Sequence, residues 1–149
     1  MKISFFGHAD FCEENIYRKK LENLISNFLK SENVDFYLGG YGRFDSFALN
    51  CCKEIKKKMN NVKLVFITPY IGKWLENKNS IIKINYDECV YPPIETIYPK
   101  FAILKRNEWI IDNSDFIVFY VSRKYGGAYQ ALKYAIKKGK KFKNIFEKE

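Results

Sequence analysis

The spacing of apolar positions along the chain alternates between two patterns. Residues 2–7 (KISFFG) form a short apolar run closed by glycine, and residues 34–38 (VDFYL) form a second, closed by Gly39 and Gly40. Residues 62–68 (VKLVFIT) form a third, stopped by Pro69, and residues 116–121 (FIVFYV) a fourth. These lengths suit strands, and the near-continuous apolar character of residues 116–121 suits a strand covered on both faces. Between them the period changes. Residues 13–30 carry Ile16, Leu21, Leu24, Ile25, Phe28 and Leu29, which fall on one face of a helix. Residues 44–59 do the same with Phe44, Phe47, Ala48, Cys51, Cys52 and Ile55, and residues 100–113 with Phe101, Ile103, Leu104, Trp109, Ile110 and Ile111. Residues 127–138 predict the last long helix and residues 142–146 a final strand. The middle is less regular: residues 70–79 read as a short helix or a loop, and residues 88–91 as a brief strand before Pro92-Pro93.

Strands that alternate with helices of ten or more residues predict an α/β fold: a mostly parallel central sheet flanked by helices, joined by right-handed crossovers. A length of 149 residues, without a linker, a repeat or a low-complexity stretch, suits one domain.

Composition narrows the function classes. No apolar run approaches the ~20 residues of a membrane span, and the N-terminal MKISFFGHADF lacks the apolar segment of a secretion signal. The expected location is therefore cytoplasmic. The four cysteines (Cys12, Cys51, Cys52, Cys89) form no CxxC pair and His8 is the single histidine, so free thiols are expected and no metal site. The balance of 26 Lys+Arg against 17 Asp+Glu gives a net charge of +9. That charge suits an anionic partner, but the lysines cluster at helix ends (Lys56-Lys57-Lys58, Lys137 to Lys141), where cations also complement the helix dipole. Nucleic acid is thus a secondary expectation.

In a parallel sheet, ligands gather where the strand C-termini meet one edge. The segments that follow the strands there carry the chemistry: Gly7-His8-Ala9-Asp10, then Gly39-Gly40-Tyr41-Gly42-Arg43-Phe44-Asp45, then Thr68-Pro69-Tyr70, then Ser122-Arg123-Lys124-Tyr125-Gly126-Gly127. Two Gly-Gly starts, at Gly39 and Gly126, each precede a helix. Glycine permits positive φ and close approach of a ligand to the main chain, and free N–H groups at a helix start attract phosphate. The competing reading is an ordinary turn. There is no GxGxxG fingerprint and no GK[ST] of a P-loop.

Four segments in order, Phe6-Gly7-His8, residues 39–48 (GGYGRFDSFA), residues 106–115 (RNEWIIDNSD) and Tyr125-Gly126-Gly127-Ala128-Tyr129, resemble the SLOG superfamily. They are most similar to its small single-domain bacterial proteins of the DUF1273 or YpsA-like kind. The resemblance implies a three-layer Rossmann-like fold and a ligand that is a nucleotide, a nucleoside or an ADP-ribose-like derivative. The superfamily includes LOG enzymes, which hydrolyse cytokinin nucleoside monophosphates, and DprA, which binds single-stranded DNA. One departure stands out. LOG-like enzymes carry PGGxGTxxE and this chain has YGGAYQA; with Gly126-Gly127 read as the GT of that motif, Gln130 falls at the position of the glutamate. An amide hydrogen-bonds a ribose but serves neither as nucleophile nor as base.

The ligand-binding candidates are therefore Gly7, His8, Asp10, Gly39, Gly40, Tyr41, Gly42, Arg43, Asp45, Thr68, Arg106, Ser122, Gly126, Gly127, Tyr129 and Gln130. Asp45 and His8 are the candidates for catalysis. Several have a structural alternative. Asp45 sits where an acid caps a helix. Arg106 either lays its stem along an apolar face or reaches an anion, and Tyr125 and Tyr129 either stack on a base or simply pack. His8, at a strand end, is expected outside the core and titrates near neutrality. Three functions follow: a nucleotide-binding sensor domain without a resident cofactor; a hydrolase or transferase at an N-glycosidic bond, with Asp45 or another carboxylate as its acid (Asp10 on the same edge, or Glu108 or Asp112 if their helix opens its N-terminal or inner face to the cleft); or a single-strand nucleic-acid binder. The tyrosines Tyr86, Tyr91 and Tyr98 would allow a homodimer.

Overall fold

The computed structural model describes residues 1–29, 32–95 and 97–146; the end of the first expected helix, at Lys30, lies outside them. Six strands, β1 (Lys2–Gly7), β2 (Val34–Leu38), β3 (Val62–Ile67), β4 (Glu88–Val90), β5 (Phe116–Tyr120) and β6 (Phe142–Asn144), form one sheet. Its order is β4-β3-β2-β1-β5-β6, and all five strand pairings are parallel. Five helices connect the strands: α1 (Glu14–Ser26), α2 (Arg43–Lys58), α3 (Lys73–Asn85), α4 (Ala102–Asp112) and α5 (Gly127–Lys137).

Side-chain alternation along the strands builds two cores. Ile3, Phe5, Val34, Phe36, Leu38, Leu64, Val118 and Tyr120 face α1 and α2, where Leu21, Ile25, Phe44, Phe47, Cys51 and Cys52 are buried. Phe6, Tyr37, Val65, Ile67, Ile117, Phe119 and Val121 face α4 and α5 and meet Ile110, Ile111, Ala128, Ala131 and Ala135. Odd and even positions of one strand therefore enter opposite layers, as the period of two requires.

The middle of the chain differs from its sequence reading. Residues 70–79, read as a short helix or a loop, contain the start of a helix that begins after Gly72 and runs to Asn85. Ile82 is its one buried residue, so its apolar stripe is thin and the periodic signal weak. It is held from the side: Lys53 of α2 donates to Asn85, and Trp74 stacks on Phe66 of β3.

The chain walks outward from β1 to β4, then returns through α4 to place β5 on the other side of β1. The loops after β1 and β5 therefore part in opposite directions, which leaves a crevice at the C-terminal edge where parallel sheets receive ligands.

Candidate functional site

A cavity of about 190 Å³ occupies that crevice. Phe5 and Phe6 border it along with Gly7, His8 and Ala9 at the end of β1. Gly39 and Tyr41 come from the β2 loop, Asp45 from the first turn of α2, and Ile103, Arg106 and Asn107 from α4. Arg123, Gly126, Gly127 and Ala128 close the side formed by β5 and α5.

The glycines of this edge divide into two groups. A Cβ on Gly7 would lie 2.1 Å from Cγ of Phe44, and one on Gly42 would lie 2.7 Å from Cα of Ala9. Gly40, at φ 67°, would push a Cβ to 2.5 Å from the Phe66 ring, and Gly39 to 3.2 Å from the Arg106 guanidinium. Protein atoms thus account for all four. At Gly126 and Gly127 an added Cβ would meet nothing within 4 Å. The N–H groups of Gly127 and Ala128, in the first turn of α5, have no hydrogen-bond partner among the described residues. This helix start is open to the cavity and suited to an anion.

Arg106, only 3% exposed, is the electrostatic pivot. Its Nη1 donates to the carbonyls of Gly39 (3.0 Å) and Ile67 (2.8 Å), and its Nε to Oδ1 of Asn107 (2.9 Å). It does not snorkel to solvent: Nη1 and Nε tie the ends of β2 and β3 to α4, and Nη2 has no protein partner among the described residues. Asp45 accepts the N–H of Tyr41 at Oδ2 (2.8 Å) and so folds the glycine loop back onto α2. Protein atoms crowd it, though it keeps partial access to the cavity, and burial raises its pKa to about 7 against the opposing pull of the Tyr41 N–H and Arg106. A carboxyl at that value exchanges protons near neutrality.

His8 is not outside the core as expected, but 4% exposed. Its Nε2 accepts the backbone N–H of Ser122 (2.9 Å), joining the end of β1 to the end of β5 and placing the imidazole proton on Nδ1. Burial first, then Arg123, lower its pKa, with Asp10 opposing. Arg123, which lines the cavity, forms a two-pronged ion pair with Asp10, Nη1 to Oδ2 at 3.1 Å and Nη2 to Oδ1 at 3.0 Å. The buried Nε of Arg123 has no partner.

The other sequence candidates lie elsewhere. Arg43 is exposed, and its backbone N–H donates to Ala9 (3.0 Å). The Thr68 hydroxyl is spent on the turn at Tyr70. Ser122 contributes its backbone alone to His8. Tyr129 packs beside the second core with Lys133 over its ring. Gln130 borders a separate groove between α4 and α5. Glu108 pairs with Lys105, and Asp112 accepts the Tyr134 hydroxyl, so neither acid reaches the cavity. Arg123, Asn107 and Ile103 line the cavity without having been singled out as binding residues. Arg123 stood in the quoted β5 loop, but a cation there carries no spacing signal of its own.

The fold and its switch-point crevice define a Rossmann-like α/β protein. No protein-family model matches the chain, and no curated protein does. Among solved structures, it is similar to DNA processing protein A (DprA) from Streptococcus pneumoniae, with a TM-score of 0.64 and 15% identity over 95% of this chain and 48% of that one. It is similar also to DNA processing protein A from Helicobacter pylori, with a TM-score of 0.64 and 16% identity over all of this chain and 68% of that one. The chain thus spans about half the length of the Streptococcus protein. At these identities the likeness is one of fold. No helix among the described residues is long and apolar enough to cross a membrane.

Proposed function

We propose that the chain binds a nucleotide or nucleotide derivative, ADP-ribose-like ligands included, at the switch-point cavity, and that it acts as a binding or sensing domain of the SLOG, YpsA-like kind. The observation that carries this reading is the start of α5. Gly126 and Gly127 have no packing reason to lack a side chain, and the N–H groups behind them are unpaired. A phosphate there gains the helix dipole and lies in a cavity that Arg106 and Arg123 also line. Asp45 supplies the one carboxyl of the cavity lining. If the chain turns over an N-glycosidic bond, Asp45 is the group to act, because Gln130 is both an amide and outside the cavity.

The test is mass spectrometry of small molecules released by denaturing gently purified protein, beside a Gly127→Leu variant with an unchanged melting temperature. A nucleotide released by the wild type and absent from the variant supports the binding reading. Free base and sugar phosphate from added nucleotide support turnover. No binding of AMP or ADP-ribose by calorimetry at millimolar concentration overturns both.

A second reading has its own observation. Tyr41 and Tyr125, 64% and 66% exposed, flank the cavity on a chain of net charge +9. Exposed aromatics among cations make a stacking track for single strands, and the Helicobacter pylori protein binds single-stranded DNA. Fluorescence anisotropy with an oligothymidine tests it: affinity should fall steeply with salt and drop further in Tyr41→Ala/Tyr125→Ala. Absence of binding at low salt would overturn this reading.

A further inference from the structure

A second cavity, of about 320 Å³, lies between α2 and α3 on the far side of the glycine loop. Phe66 and Trp74 border it with nearly parallel rings, 16° apart at a centroid distance of 6.3 Å, and Tyr86 closes on Phe66 at 5.1 Å. Gly40 is what allows the Phe66 ring into this position, since a Cβ there would overlap it. Ser46 and Asn85 at the rim are bonded within the protein, to Gly42 and to Lys53 and Ile81, but other polar groups there are not consumed by the fold. Lys78, the hydroxyl of Tyr86 and Oδ1 of Asp45 make no hydrogen bond or ion pair among the described residues, although all three residues border the cavity. Asp45 borders both cavities, so the two meet at this residue.

We infer that this second cavity is a stacking site for a purine-sized nitrogen heterocycle, which holds the base of the nucleotide whose phosphate lies at the start of α5. The inference rests on the nucleotide reading above and adds where its base goes. Aromatic faces with a few unsatisfied polar groups at the rim are what a planar ring with a hydrogen-bonding edge requires. The volume falls within the range of small-molecule sites, about 300–1,000 Å³, whereas the first cavity alone falls below it. The wall formed by α3 can yield to a ligand, because Ile82 is that helix's one buried residue.

The experiment uses the intact chain with Trp109, which packs on Tyr37 in the other layer, replaced by Phe. Trp74 is then the single tryptophan. Adenosine should quench its fluorescence saturably. Ser46→Phe, at an exposed position bordering the cavity, should weaken adenosine by tenfold or more and leave ribose 5-phosphate binding, read by calorimetry, unchanged. Gly127→Leu should do the reverse. Absence of saturable quenching at millimolar adenosine, or quenching indifferent to Ser46→Phe, overturns the inference. Adenosine binding without ribose 5-phosphate binding keeps the aromatic site and overturns the phosphate reading instead.

Discussion

Gly42 and Gly126 share one backbone conformation, φ 89° and ψ 173° at the first, φ 92° and ψ 175° at the second, each immediately before a helix. What surrounds them differs. Gly42 presses against Ala9, and the Arg43 N–H that follows it donates to the Ala9 carbonyl. Gly126 faces open space, and the Gly127 N–H after it has no partner among the described residues. The same turn closes one helix start with protein and leaves the other open.

Gly7 and Gly127 should therefore respond oppositely to alanine. At Gly7 the new methyl overlaps the Phe44 ring, and urea denaturation should show a loss of about 1–3 kcal/mol. At Gly127 the φ is ordinary and the space empty, so stability should hold or rise by up to about 1 kcal/mol. Nucleotide affinity should fall only in the second.

Arg106→Lys should destabilise the protein by about 2–4 kcal/mol in the same assay. A lysine lacks the planar fork that serves Gly39, Ile67 and Asn107 together, and it leaves buried carbonyls short of a donor.

Asp45 makes stability depend on pH. Its pKa rises from 3.8 to about 7 on folding, so between those values the folded state binds more protons than the unfolded state. Stability then declines as pH rises from about 4 to about 7, by at most about 1.4 kcal/mol per unit from this group. Asp45→Asn keeps an oxygen for the Tyr41 N–H and loses the titration. The difference between wild type and variant, from thermal melts at pH 5 and pH 8, should move in the variant's favour at the higher pH.

The Asp10–Arg123 pair lies at the surface, with Arg123 lining the cavity, so breaking it should leave the melting temperature unchanged. Its consequence lies in binding. Asp10→Asn frees Arg123 and removes a negative charge, and calorimetry should show tighter phosphate-ester binding; Arg123→Ala should show weaker binding, and both differences should shrink as salt is added.

Thiol labelling separates the four cysteines. Burial pushes Cys51 up to about 12 and Cys52 upward as well, while Cys12 and Cys89 are exposed. Intact-mass analysis after iodoacetamide should show two adducts on the native protein and four after denaturation.

Much of the architecture follows from local pattern. Short apolar runs across residues 34–38 and 62–67 and a period of 3.6 across the α2 and α5 segments depend on neighbouring residues alone, and alternation of the two types points to a parallel sheet. The glycine-rich edge was legible for the same reason: glycine before a helix is a local signal. α3 was not, because packing against Phe66 and Lys53 holds it, not an apolar stripe of its own.

The assignment of roles belonged to tertiary structure. Arg106 meets Gly39 across 67 positions of sequence, and His8 meets Ser122 across 114. No spacing rule reaches that far, so a guanidinium that looked free is bound to carbonyls and a histidine that looked accessible is buried. The same long-range packing explains Gly7, Gly40 and Gly42 through Phe44, Phe66 and Ala9. Of the glycines that line the cavity, it leaves Gly126 and Gly127 as those whose space no protein atom fills. Sequence alone determined where glycines and charges would gather; the approach of distant side chains decided which of them close the fold and which stay open at the crevice.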